Sequence, residues 1–362
     1  MRTNEKKYVI GRHAVRVILE EPWAFAELSA RQKEMVRRLK AGEDIGIESV
    51  PADRPEQAQV NDALMGKEFM TREKWDTLSA EERFEFRHSL DMQQYAPFEA
   101  DEASGKPLFT LTVHEGVPGM IEESRKDWKE VTAVDEVPPF YYGYVLGDKT
   151  IYEYFPSKDI SAGVFVLNAD YTEGHYFAYP RMPLRVTSLQ VNTSLMIQYT
   201  FATAPLDTLL LHASVTRYNG KGNLFFGVSG TGKSTHSRLW HEYVPESDLM
   251  NDDNPVIRFT PSGECIVYGS PWSGKTLCYR NVKAPVNALV RLEQAPANEI
   301  SRLKPLQAYA SVIAAVSTIR WKHEIMDMLV PTVEKVAMNV PCYQLRCRPD
   351  REAVDVCKNA II

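Results

Sequence analysis

The stretch Gly227-Val-Ser-Gly-Thr-Gly-Lys-Ser234 constrains this chain most, because it matches the pattern G-x-x-x-x-G-K-[ST] directly behind the apolar run Leu224-Phe225-Phe226. With the helical run Thr235-His-Ser-Arg-Leu-Trp240 behind it, the segment reads as strand, glycine-rich turn and helix start. Glycines let backbone N–H groups close on an anion with no Cβ in the way, and a helix N-terminus adds its own open donors. The candidate phosphate-binding residues are therefore Gly227, Ser229, Gly230, Thr231, Gly232, Lys233, Ser234 and Thr235. In this pattern Lys233 supplies a point charge for the β and γ oxygens of a nucleoside triphosphate, and the Ser234 hydroxyl reaches a bridging Mg²⁺.

Such a loop needs a carboxylate at the end of a neighbouring strand to hold the metal. Leu249-Met-Asn-Asp-Asp253 offers two, one helix and one short connection further on. Asp252 and Asp253 can divide the work, one on the metal and one taking a proton from an attacking hydroxyl; which does which stays open. His212 lies on the apolar run Leu209 to Thr216, either as a satisfied core histidine or as a member of the site. The turn Asn219-Gly-Lys-Gly222 joins that run to Asn223–Phe226 as a hairpin feeding the loop. His236 and His241 are five apart on the following helix, a poor ligand spacing, and read as partly exposed. A second glycine-lysine turn, Gly269-Ser-Pro-Trp-Ser-Gly-Lys-Thr276, follows the strand Cys265–Tyr268; Lys275 either reaches a phosphate or belongs to an ordinary turn.

Elsewhere the periodicity changes several times. Residues 8 to 19 read as two strands around Gly11, and capping-box patterns at Ser29-Ala-Arg-Gln32 and Ser79-Ala-Glu-Glu82 open two helices, the second running through Phe84, Phe86 and Leu90. Gly42 stops the first helix, residues 50 to 65 read as a polar loop, and Thr71-Arg-Glu-Lys74 reads as a solvated face. Leu108 to Val113, Tyr141 to Leu146, Thr150 to Phe155 and Gly163 to Asn168 read as strands, antiparallel where aromatic and separated by turns. Their aromatics lack interleaved basic residues, so they point to sheet packing and not to base stacking. Residues 186 to 202 read as a helix with Leu189, Met196 and Tyr199 on one face. Core helices follow at Val312–Val316 and Ile325–Val340, the latter broken or restarted by Pro331, then a strand Tyr343–Cys347 and a helix from Arg351.

With 362 residues, 44% hydrophobic and 25% charged, the chain can bury substantial cores, and a net charge of −6 gives no reason to expect nucleic acid as a partner. The charged start and the lack of any apolar run near the roughly eighteen residues of a span predict a cytoplasmic protein with no membrane partner. The five cysteines, an odd number with no C-x-x-C, read as free thiols.

Taken together, Leu211-His-Ala-Ser214, Phe225 to Ser234 and Asn251-Asp-Asp253 resemble the core shared by HPr serine kinase/phosphorylases and ATP-dependent phosphoenolpyruvate carboxykinases. The resemblance covers roughly residues 207 to 291. It implies an α/β (α+β) fold with a P-loop core on a mixed β-sheet over 206–362, carrying C-terminal helices. Residues 1–205 would form an N-terminal antiparallel β-rich region with a helical insertion at about 22–95. It also implies ATP with Mg²⁺ or Mn²⁺, and places Asp252, Asp253, Lys233, His212 and Lys275 as catalytic and Ser234, Asp252 and Asp253 as metal-binding. Thr235 stands where the HPr kinases carry an acidic residue, and the later arginine signature of the kinases and the oxaloacetate-binding motifs of the carboxykinases have no counterpart here. The expectation is a kinase-like phosphotransferase whose acceptor is a protein, peptide or metabolite hydroxyl, with a homo-oligomer compatible with it. A carboxykinase and a non-catalytic nucleotide sensor are the alternatives.

Overall fold

The computed structural model describes residues 4–41, 43, 76–100, 105–133, 140–157, 160–180, 182–274, 276, 278–319 and 322–362. The expected linker at 50–65, the run Thr71 to Lys74, Gly42 and Lys275 lie outside these. Among the described residues the chain is a mixed α/β structure of two large sheets.

The two strands expected around Gly11 form as β1 (Glu5–Ile10) and β2 (His13–Leu19) and pair antiparallel, with Val15, Val17 and Leu19 buried on alternate positions. After the short β3 (Ala24–Phe25), helices α1 (Ala30–Lys40) and α2 (Ala80–His88) both start on reciprocal capping boxes. Ser29 Oγ accepts from Gln32 N at 3.2 Å, and Ser79 Oγ from Glu82 N at 3.1 Å. Helix α2 stops at His88, short of the expected Leu90. That residue instead enters β4 (Ser89–Leu90), paired with β3 and fully buried, because the extended backbone carries its side chain into the core.

The first sheet continues through β5 (Phe109–Glu115), β6 (Lys129–Ala133), β7 (Phe140–Leu146), β8 (Lys149–Phe155), β9 (Gly163–Leu167) and β10 (Glu173–Ala178), with α3 (Gly119–Ser124) between β5 and β6. Its order is β1-β2-β5-β10-β9-β8-β7-β6. The aromatic strands β7, β8 and β9 pair antiparallel, and Tyr152, Tyr154, Phe165 and Tyr176 are buried in the core, as sheet packing requires. The expectation of an antiparallel sheet fails at β5, which runs parallel to both β2 and β10; long crossovers from residues 20 to 108 and 116 to 172 permit this.

Helix α4 (Leu184–Thr203) lies between the sheets. Leu189, expected on its apolar face, is exposed; the buried face is partly polar because Gln198 Nε2 donates to the carbonyls of Thr110 and Tyr171, and Tyr199 Oη to that of Ile10.

The second sheet comprises β11 (Thr208–Leu210), β12 (Ala213–Tyr218), β13 (Lys221–Phe226), β14 (Asp248–Asp253), β15 (Val256–Phe259), β16 (Cys265–Tyr268), β17 (Lys283–Gln294), β18 (Glu299–Arg302) and β19 (Cys342–Cys347). Its path is β11-β15-β16-β17-β13-β12-β14, with β19 parallel to β17 and β18 outside it. Helices α5 (Lys233–Tyr243), α6 (Pro305–Ala315), α7 (His323–Asn339) and α8 (Arg351–Ile361) complete this half. The β12–β13 turn is Asn219-Gly220, with φ of 49° and 72°, the two positive values a tight primed turn needs. Pro331 lies inside α7 without breaking it. Buried Ile325, Leu329, Val333 and Val336 hold the helix to the core, and together they outweigh the proline cost of about 3 kcal/mol.

One core cluster runs from Tyr8 on β1 through α4 to Val336 on α7. All five cysteines are free thiols, and no helix among the described residues is long and apolar enough to cross a membrane.

At the contact between the two sheets, His13 is 6% exposed and its Nε2 lies 3.0 Å from Thr208 Oγ1. Burial, reinforced by the Arg258 charge, pushes its pKa down to about 4. The unfolded chain takes up this proton near pH 6.5 and the folded chain only near 4, so stability is present above pH 6.5 and lost as pH falls through that window. The loss is on the order of 3 kcal/mol at most. Denaturant titrations from pH 7 to 4 should show it, and His13→Gln should flatten the slope; an unchanged slope in the variant would assign the acid sensitivity elsewhere.

Candidate functional site

The site forms where β13, β12 and β14 end together. The expected run Leu209–Thr216 is not one strand but two: β11 pairs with β15, whereas β12 pairs with β13 and β14. His212 occupies the corner between them, its N–H donating to Ala315 O at 2.7 Å, and Leu211 bridges Val316. The corner turns the His212 side chain out, 46% exposed, and brings its Nε2 within 3.6 Å of Asp253 Oδ1.

The glycine-rich loop leaves β13 at Phe226 and enters α5 at Lys233. Gly227 is a position only glycine fits: φ is 154°, and an added Cβ would meet Leu292 O and Thr231 Oγ1 at 2.9 Å. Gly230 and Gly232 also have positive φ, 83° and 98°. Thr231 Oγ1 donates to Val228 O at 2.8 Å, Gln294 Nε2 to Gly230 O at 3.1 Å, and the half-buried Lys233 Nζ to Gly227 O at 3.1 Å. Ser229 and Ser234 are exposed and Thr235 is half-buried. No side chain caps α5 at Gly232, so the first N–H groups of the helix face outward beside the loop, with the positive end of the helix dipole behind them.

In the β12–β14 register Asp252 stands opposite Ser214 and Asp253 opposite Ala213. Cross-strand partners share a face. Ser214 Oγ meets Ser237 Oγ of α5 at 2.7 Å, so Asp252 lies on the face covered by α5, and Ser234 is one turn before Ser237 on the same helix stripe. Strand alternation sends Asp253 the other way. Asp252 is accordingly 3% exposed with Oδ2 buried and unpartnered, whereas the Asp253 side chain is 35% exposed beside His212. The second glycine turn closes on this strand end: Gly274 N donates to Asp252 O at 2.6 Å, Ser273 Oγ to the same carbonyl at 3.2 Å, and Ser273 bridges Asp253.

Burial chiefly raises the Asp253 pKa, opposed by His212 and reinforced by Asp252. Burial and the Lys233 charge lower that of His212, which favours the neutral imidazole, and burial lowers that of Lys233 against the pull of Asp253 and Asp252. The charges of Lys233, Asp252 and Asp253 and the His212 imidazole thus act on one another's proton affinities. Asp253 also carries φ of 154°, a backbone region disfavoured for a residue with a Cβ and recurrent at reactive positions.

His236, expected partly exposed, is 3% exposed instead. It packs on Phe225 and accepts from Trp240 Nε1 at 3.1 Å, because the stripe of α5 that carries it faces β13. His241 is exposed, as expected. Two participants escaped the sequence reading. Asn254 Nδ2 donates to Asp253 Oδ2 at 2.8 Å, and Ser317 Oγ donates to Asn254 Oδ1 at 2.6 Å. Adjacency to the acidic pair could have suggested Asn254; nothing local marks Ser317.

Among the described residues no three His, Cys, Asp or Glu side chains converge as a self-sufficient metal site. The orphaned acceptor Asp252 Oδ2 with the Ser234 hydroxyl suits a hard cation that takes its other ligands from phosphate and water, the usual manner of Mg²⁺.

Residues 179–350, from the start of α4 through β19, match a family model described as SynChlorMet cassette protein ScmC. The match contains the loop, His212 and the acidic pair, and spans a little under half of the chain. No curated protein matches the chain.

Because burial raises the Asp253 pKa, its ionised form opposes folding above that pKa. Asp253→Asn should therefore raise Tm at pH 7. A lower Tm would show that the carboxylate stabilises the strand end.

Proposed function

We propose that this chain is an ATP- and Mg²⁺-dependent phosphotransferase acting on an acceptor hydroxyl, built on a P-loop core of the HPr kinase and phosphoenolpyruvate carboxykinase kind. The observation that carries the reading is the meeting of His212 and Asp253 at 3.6 Å, with the orphaned oxygen of Asp252, at a strand end covered by α5, whose uncapped start bears Lys233. A glycine turn alone would need none of those groups.

The separation of the two carboxylates supports a division of labour that the sequence left open. Asp252, buried on the α5 face with an unsatisfied oxygen, and Ser234 would hold Mg²⁺. When bound, the ion would neutralise charge on the β and γ phosphates. The loop amides and the α5 N-terminus would cradle the phosphates, and Lys233 would balance the charge of the migrating group. Asp253, on the accessible face with Oδ1 towards His212, would accept the acceptor's hydroxyl proton. The acceptor oxygen then bonds to the γ phosphorus as the bond to the β–γ bridging oxygen breaks, and ADP leaves. Neutral His212 borders the acceptor side and can hydrogen-bond the incoming hydroxyl or a neighbouring polar group.

Positioning and electrostatics supply most of the rate in such transfers, so removing the charge at position 233 should be severe. Lys233→Ala should fold normally and lose ATP turnover by about a hundredfold or more. Unchanged turnover in that variant would contradict the proposal. Tight ATP binding by the wild type without any phosphorylated product would favour a sensor, and nucleotide-dependent formation of phosphoenolpyruvate from oxaloacetate would favour a carboxykinase.

A further inference from the structure

Asn254 is 8% exposed and uses each of its polar groups. Its N–H donates to Asn251 Oδ1 at 3.0 Å, its carbonyl accepts from Ser270 Oγ at 2.6 Å, its Oδ1 accepts from Ser317 Oγ at 2.6 Å, and its Nδ2 donates to Asp253 Oδ2 at 2.8 Å. Asp253 Oδ2 accepts from the amide Nδ2, which leaves Oδ1 of Asn254 for a donor, and the Ser317 hydroxyl is that donor. One oxygen of Asp253 is thereby occupied. The other, Oδ1, faces His212.

Ser317 belongs to the segment that follows α6, and the same segment also holds the histidine. Ala315 O accepts from His212 N at 2.7 Å, Val316 bridges Leu211, and Ser317 N donates to Leu210 O at 2.8 Å. A stretch far from the acidic pair in sequence therefore clamps both sides of the space between His212 and Asp253. Asn254 is too buried to meet an acceptor itself, so any influence it has on transfer must pass through Asp253.

We propose that Asn254 is a positioning residue for the transfer, anchored by Ser317, and that the pair selects Asp253 Oδ1 as the oxygen presented to the acceptor hydroxyl. This rests on the phosphotransferase reading above. With the amide removed, the Asp253 carboxylate can rotate and either oxygen can face the acceptor, while the loop that binds ATP is untouched. The loss should therefore fall on kcat and leave the KM for ATP alone.

The test compares Asn254→Ala, Ser317→Ala and Ser317→Thr with the wild type in steady-state turnover with ATP. Asn254→Ala should lower kcat about tenfold or more at unchanged KM for ATP, as loss of a group that orients a reacting residue does. Ser317→Ala should fall in the same direction and Ser317→Thr, which keeps the hydroxyl, should recover wild-type kcat. Should Asn254→Ala fail to fold, the Ser317 pair decides. Wild-type kcat in Ser317→Ala, a Ser317→Thr variant as impaired as Ser317→Ala, or a rise in KM that accounts for the whole loss overturns the proposal. A wild type without turnover overturns the phosphotransferase reading with it. A wild type that turns over and depends on Lys233, with indifferent Ser317 variants, overturns this inference alone.

Discussion

Asp252 and Asp253 differ in surroundings because one strand pairing puts them on opposite faces of a sheet. The register of β12 against β14 sets Asp252 beside Ser214 and Asp253 beside Ala213, and a slip of one residue would exchange them. Two features hold that register. At the far end Arg217 grips Asp248 through Nε and Nη2, at 2.9 and 2.5 Å, and the buried Arg280 adds Nη1 at 2.8 Å, so that two guanidinium groups hold the half-buried carboxylate. Between the two ends the register shifts at Val215/Thr216, an irregularity that re-aims the strand before it reaches the site. The carboxylates are thus set by contacts remote from them.

The loop and the acidic pair are joined through α5. Ser237 touches Ser214 on β12, Trp240 and His236 pack against Phe225 on β13, and Ser247 donates to Trp240 O as the chain turns into β14. Helix position, strand register and loop geometry are consequently one packing problem. The polar parts of the site ride on an apolar support, and the burial that fixes them also displaces their proton affinities, raising that of Asp253 and lowering those of His212 and Lys233.

Much of this was legible in the chain because the informative residues are local. The glycine spacing of 227, 230 and 232, the Asn-Gly turn before β13 and the serine capping boxes of α1 and α2 each encode a backbone conformation within a few residues, and each forms as read. The misreadings arise where distant contacts decide. Leu209–Thr216 looked like one strand, since nothing in its alternation shows that Ala315 O and Val316 draw the chain aside at His212. Pro331 looked like a break until the buried face of α7 is counted, and His236 looked exposed until its stripe is set against β13. Asn254 and Ser317 are 63 residues apart, and only the folded chain joins them.

Transfer of a phosphoryl group at the strand end beside the loop, as distinct from holding a nucleotide, is open to direct measurement. The most direct measurement incubates the protein with Mg²⁺ and ATP radiolabelled at the γ phosphate in an extract of its source cells, comparing wild type with Asp253→Asn at equal ATP occupancy. Transfer at this site should put label in a discrete acceptor with the wild type and none above background with the variant. Equal labelling by both, or bound ATP with no labelled acceptor in either, would contradict it.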